Sequence, residues 1–261
     1  MKRTSRLDYA YAVGRVRALE RKLVERAVFS EAAEEKDFPR AIKIVFDAGE
    51  FLEEMAKIKN SEELDSFLDR EEKELLSLVT EILLEKDVLE AFLVEKMPEK
   101  ALKISESMNY SFIHDYFRHK IDLANLKIFC RLKYSGASRE KLEKSILKGG
   151  FLDDQVLIKN FEETFGDVGE KIQSTPYAEV WNRGVDTLEE KETFVELERG
   201  IEDFLMDYLR KAKYVVFGPE PIFAYALAKR RELNLVRLMG IGKLNQIPPL
   251  LLKQRISETY V

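Results

Sequence analysis

Few residues in this chain could do chemistry, and their spacing argues against each. His114 and His119 are the only histidines. Five residues apart on a helix, they would point about 140° from one another, so they cannot grip one ion as an i, i+4 pair would. Cys130 is the lone cysteine, set in Ile128-Phe-Cys-Arg-Leu132. A catalytic thiolate needs a base beside it, and neither histidine is close in sequence, so Cys130 reads as a core thiol. A single cysteine also rules out an internal disulfide and points to a reducing compartment. Gly240-Ile-Gly-Lys243 has the look of a phosphate-loop fragment but lacks the spacing between glycines and the hydroxyl residue after the lysine. Asp153-Asp154 lacks the spaced third acid of helical prenyl-transfer enzymes. No metal, nucleotide or other cofactor is expected, and the carboxylates elsewhere fall where exposed helix faces are normally charged.

The elements that must carry these residues are helices. At 261 residues, 45% apolar and 35% charged, the chain can bury a sizeable core and has an unusually charged surface. Helical periodicity recurs along its length, and no alternating strand pattern stands out, Tyr214-Val-Val-Phe217 being too short. Tyr9, Val13, Val16, Leu23 and Ala27 fall near one face of a first helix. Asp37-Phe-Pro39 starts another, as does Ser61-Glu-Glu-Leu64 with a hydroxyl cap and two acids. Leu123–Leu132 is a strong helix with Gly136 as terminator and Ser138 capping the next. Thr187-Leu-Glu-Glu190 reads as a capping box opening a helix to about Tyr214. Gly218-Pro-Glu-Pro221 is a turn before a helix from Ile222. Gly240, Gly242 and Pro248-Pro249 punctuate the tail before a last helix ending near Tyr260. The expectation is an all-α protein of roughly ten to fourteen helices.

Charge is polarised. Residues 1–30 carry a net +5, residues 31–106 a net −11 and residues 205–255 a net +7, within an overall −5. Two basic ends flank an acidic middle, a pattern that suits different partners at different places. The acidic balance and the lack of a reading motif exclude nucleic acid. No stretch approaches the ~20 apolar residues of a membrane span, and Met1-Lys-Arg-Thr-Ser-Arg6 is not followed by an apolar run, so a soluble chain is expected.

An octet recurs. Asp87-Val-Leu-Glu-Ala-Phe-Leu-Val94, Asp122-Leu-Ala-Asn-Leu-Lys-Ile-Phe129 and Glu232-Leu-Asn-Leu-Val-Arg-Leu-Met239 each run from an acid into an apolar helical stretch, and the last two share a cation five residues on, Lys127 and Arg237. The gaps of 35 and 110 residues exclude a regular solenoid. The three octets are expected in equivalent positions of similar helical units, with each acid near a helix start.

Several stretches carry a family resemblance. The opening Asp8-Tyr-Ala-Tyr-Ala-Val-Gly-Arg-Val-Arg-Ala-Leu-Glu-Arg-Lys-Leu23 resembles the first helix of the C-type subunit of archaeal and bacterial V-type (A-type) ATP synthases, the relative of the eukaryotic d-type subunit. Asp122-Leu-Ala-Asn-Leu-Lys127 and Lys148-Gly-Gly-Phe-Leu152 are similar to that family's middle repeat. Gly218-Pro-Glu-Pro221, Tyr225, Lys229, Glu232, Arg237, Gly242-Lys243 and Ile247-Pro248 are similar to its close. The chain departs at Leu235, where the family often has an asparagine, and at Glu90, and it is short for the family, with the loss in 30–110.

The resemblance implies three similar helical units, 1–110, 111–175 and 176–261, arranged as a funnel with pseudo-threefold symmetry. It implies a non-catalytic rotor part, cytoplasmic and peripheral to the membrane. Its partners would be the D- and F-type shaft subunits and the proteolipid ring. A helical adaptor unrelated to a membrane complex is the alternative, and a helical enzyme with an unrecognised site a third possibility. The basic 205–255 region is expected to supply partner-docking cations, with Lys229, Arg230 and Arg231 exposed and Arg237 and Lys243 more structural.

Overall fold

A computed structural model describes residues 4–261 of the chain, and every described regular element is helical. The α-helices are α1 (Ala10–Glu20), α2 (Arg26–Glu34), α3 (Phe38–Ala48), α4 (Ser61–Ile82), α5 (Lys86–Leu93), α6 (Pro98–Glu106) and α7 (Ser111–Tyr134). They continue as α8 (Arg139–Ser145), α9 (Asp154–Lys159), α10 (Phe165–Ile172), α11 (Ala178–Lys191), α12 (Val195–Arg210), α13 (Glu220–Leu244) and α14 (Pro249–Arg255). The expected all-α class is what the structure has.

The chain divides into two compact units. Unit 1 joins residues 1–89 to residues 206–261, and unit 2 is residues 90–205. In unit 1, α13 is the central helix and packs on α1, α2, α3, α4 and α14. Its residues from Ile222 to Ala228 are all buried, so it has no solvent face over two turns, as a core helix should. Phe29, Phe38, Val45, Leu64, Phe67, Val236 and Met239 form the core around it. In unit 2, α7 packs on α6 and α8. Phe129 on α7 meets Phe161 and Trp181 at ring distances of 5.4 Å and 5.6 Å, tying α7 to α11. Cys130 is fully buried, and burial pushes its thiol up, so it is core as expected.

Several boundaries differ from expectation. The first helix stops at Glu20, and Ala27 lies exposed on the separate α2. Asn60, not Ser61, caps α4 by accepting the Glu63 amide at 2.9 Å. Thr187 opens nothing. It sits inside α11, where its hydroxyl donates to the Arg183 carbonyl one turn back at 3.0 Å, and α12 begins at Val195. Gly240 and Gly242 do not break the chain but lie within α13. A Cβ on Gly240 would come 2.5 Å from Leu64, so glycine there lets α4 approach. The last helix ends at Arg255, short of Tyr260. The expected stop at Gly136 is present. It takes φ +67°, and the Ala137 amide reaches back to the Leu132 carbonyl at 3.0 Å in a Schellman closure.

Candidate functional site

The octet acids of α7 and α13 occupy helix interiors, not helix starts. Asp122 lies midway along α7 and Glu232 midway along α13, both buried. A macrodipole argument therefore does not apply to them. Their carboxylates instead receive backbone amides that would otherwise be buried without a partner. Asp87, the third acid, does lie near the start of α5 and is exposed.

Around Glu232, Oε1 accepts the Val24 amide at 2.6 Å and Oε2 accepts Lys229 Nζ at 2.5 Å. Lys229 also donates to the Glu50 carbonyl at 3.1 Å and lies 4.2 Å above the Phe51 ring. Burial raises the Glu232 pKa, and the Lys229 charge opposes that rise. Lys243, further along α13, is also buried. Its Nζ donates to the carbonyls of Ala33, at 2.6 Å, and Glu35, closing the end of α2, and burial lowers its pKa.

Around Asp122 the pattern is similar. Oδ2 accepts the Phe151 amide at 2.8 Å and the Tyr177 hydroxyl at 2.7 Å, while Oδ1 accepts the Leu152 amide at 3.2 Å. A Cβ at Gly150 would fall 1.9 Å from the carboxylate, so only glycine fits before Phe151. Tyr177 gives its proton to Asp122, which leaves His119 Nδ1 as the donor to Tyr177 at 2.8 Å. Burial raises the Asp122 pKa against the lowering effect of these bonds. On the same helix, Asn125 pairs with both the carbonyl and the amide of Leu147 at 2.9 Å, and Lys133 donates to the Phe161 carbonyl at 2.6 Å.

The five cations expected to dock partners differ in burial. Lys229 is buried in its ion pair, which corrects the expectation that it is exposed: its charge is needed inside to balance Glu232. Lys243 is structural, as expected. Arg230 Nε donates to Glu72 at 2.8 Å and Arg231 Nε to Ser257 at 2.8 Å, and both are half-buried. Arg237, expected to be structural, is exposed on the outer side of α13, with Asp65 2.8 Å away. Asn125 stands in the family-like stretch 122–127, whereas Tyr177, Lys133 and Val24 are not singled out as site residues by the sequence. Asn125 and Lys133 share a helix face with Asp122 at separations of three and eleven residues, and that recurrence is the available signal. Nothing local marks Val24 or Tyr177.

The other chemical candidates are held by structural bonds. Ser105 donates its hydroxyl to the Leu102 carbonyl at 2.7 Å, so its 3.0 Å contact with His114 Nδ1 must have the histidine as donor. A serine in that arrangement is not activated as a nucleophile. Asp153 caps α9 and Asp154 pairs with Lys148 at 2.7 Å. Among the described residues no group of three or more His, Cys, Asp or Glu is placed to hold a metal, and no helix is long and apolar enough to cross a membrane.

These arrangements anchor helices, and comparison with known proteins gives them a family. The chain is 27% identical over 158 residues to the C subunit of the V-type sodium ATPase of Enterococcus hirae, covering 60% of this chain and 48% of that protein. It is 25% identical over 179 residues to the C subunit of the A-type ATP synthase of Halobacterium salinarum, covering 68% and 49%. With the C subunit of the A-type ATP synthase of Methanocaldococcus jannaschii it shares 23% over 239 residues, 87% of this chain and 59% of the relative. The chain thus spans about half the length of the curated relatives it matches. The family profile described as ATP synthase (C/AC39) subunit matches residues 22–255, nearly the whole chain, and this protein belongs to that family.

Proposed function

We propose that this chain is a non-catalytic central-stalk part of a rotary ATPase, a socket that joins the D- and F-type shaft to the membrane proteolipid ring and passes torque between them. The family match across residues 22–255 carries this reading. The residues of the chain support it. The buried ionisable groups with described bonds at Asp122, Glu232, Lys229 and Lys243 hold backbone segments in place and leave no pair poised for acid–base work. A part that carries torque needs this kind of over-determined packing.

The funnel of similar helical units belongs to the same proposal, with Asp122 and Glu232 marking the cores of two such units. The socket sits on the cytoplasmic side, peripheral to the membrane. Docking draws on the exposed cation Arg237 and on Arg230 and Arg231 on the same helix. Charge steers the encounter, and apolar contact holds the joint.

The test is a binding experiment with the full chain. It should bind both immobilised shaft subunits and vesicles that carry the ring. A chain that binds neither is not the socket.

A further inference from the structure

Unit 1 carries a set of exposed apolar side chains that its own packing does not use. Leu7, in the 3-10 turn Arg6–Tyr9 just ahead of α1, and Tyr11, in the first turn of α1, are 65% and 78% exposed. Tyr214 and Val216, in the segment between α12 and α13, are 88% and 68% exposed. Two arginines set these stretches side by side. Arg17 Nη2 donates to the carbonyls of Ala212, Lys213 and Val215 at 2.8–3.0 Å. Arg6 Nη1 donates to Glu220 at 2.8 Å. Residues 212–220 therefore run antiparallel along α1, tied at both ends of a span of roughly 17 Å.

The face beside this strap is Leu7 ahead of α1 and Ala10, Tyr11, Gly14 and Ala18 on it, all exposed and none charged. A Cβ on Gly14 would meet nothing within 4 Å. On the far side, Arg15 bonds Glu81 at 2.7 Å, beside the exposed Leu84. The flanks carry cations, most of them already engaged: Arg6 pairs with Glu220, Arg15 with Glu81, Arg17 with Glu20, Lys22 with Glu50 and Arg210 with Glu258. The positive charge offered outward is that of Arg21 and Lys211, with Lys213 beside them donating to the Tyr260 carbonyl at 2.7 Å.

We infer that this patch is a membrane-contact surface for anionic lipid, with Leu7, Tyr11, Tyr214 and Val216 entering the headgroup–acyl boundary and the flanking cations meeting lipid phosphates. Tyrosine suits the boundary because its ring is apolar and its hydroxyl stays wet. Protruding apolar groups ringed by Lys and Arg are the combination that binds an anionic interface by insertion and charge together. The inference does not depend on the socket reading, since lipid alone is the partner.

Co-sedimentation of the full chain with protein-free vesicles tests it. Vesicles of phosphatidylcholine with phosphatidylglycerol should bind the chain at least about tenfold more tightly than phosphatidylcholine alone, and added salt should weaken the binding. Tyr11→Ser with Val216→Ser should weaken it roughly tenfold, with the circular dichroism spectrum unchanged. Lys211→Glu, at an exposed side chain 5.0 Å above the Tyr208 ring, should weaken it at least about fivefold, again with the circular dichroism spectrum unchanged. The proposal is overturned if the wild-type chain ignores protein-free anionic vesicles, or if Lys211→Glu binds them like wild type. Sedimentation only with vesicles that carry the ring would also overturn it, because the patch would then belong to a protein partner.

Discussion

Asp122 and Glu232 stand 110 residues apart in sequence, in different units, and each fixes a crossing segment by accepting amides two to three residues ahead of a short helix. Glu232 takes the Val24 amide just before α2, and Asp122 takes Phe151 and Leu152 just before α9. The correspondence extends along the helices. Lys243 and Lys133, each eleven residues after its acid, close the far end of that short helix through a carbonyl, Ala33 or Phe161. Gln246 and Gly136, again 110 apart, both take positive φ, and α14 and α8 each begin three residues later. The recurrence of the acid-led octet is therefore real for the second and third octets and lies in what the acids hold.

The Lys229–Glu232 pair is buried, so removing one partner strands the other charge. Glu232→Gln is expected to destabilise unit 1 by about 3–5 kcal/mol, and Lys229→Met by a comparable amount. The double variant should cost less than the two singles together. Denaturant midpoints of the four proteins give the coupling directly.

Asp122 accepts from two amides and a hydroxyl, so Asp122→Asn sets an amide donor against donors and should cost about 1–3 kcal/mol. The pH dependence has a definite sign. Burial raises the folded-state pKa of Asp122 above the ordinary 3.8. The folded state then holds the proton more tightly, and the resulting stabilisation is complete below about pH 3.8 and lost as pH rises through the folded value. The stability advantage of wild type over Asp122→Asn should therefore grow as pH falls from 7 toward 4, read from urea midpoints. An advantage that shrinks over that range would show the folded pKa to be depressed instead.

Gly14 and Gly240 are both helical but in opposite situations. Gly14→Ala adds a methyl group in open space and should stabilise by about 0.5–1 kcal/mol through helix propensity. Gly240→Ala drives a methyl group into Leu64 and should destabilise by about 1–3 kcal/mol. Paired thermal melts separate the two.

Arg237 and Asp65 form a half-exposed pair, so Arg237→Glu should change stability by only about 0–1 kcal/mol. Its effect should fall on association. Binding to the shaft or ring should slow at low ionic strength and approach wild type at high salt, as stopped-flow traces would record.

Much of the fold is legible in the sequence because helical periodicity and strong stops are local. Asp37 capping α3 and Gly136 ending α7 follow from chemistry within four residues. Thr187 misleads because a hydroxyl followed by acids has two local uses, and bonding back to Arg183 competes with capping. Gly240 misleads because a glycine that admits a neighbouring helix looks, in sequence, like one that ends its own. Lys229 misleads because its exposure depends on a carboxylate three residues away whose burial is set by Val24, 208 residues distant in sequence. No window of sequence contains that contact. The cations of residues 205–255 share the same difficulty: a surplus of charge over fifty residues says nothing about which side chains face inward.

In the proposed role this chain couples the shaft to the ring without chemistry of its own. ATP-driven ion uptake by vesicles bearing the complex, stripped of this chain and then given it back, measures that coupling. Uptake is expected to be lost on stripping and to return on re-addition of the chain, while ATP hydrolysis by the head continues throughout. Ion uptake that proceeds at the full rate without the chain would contradict it.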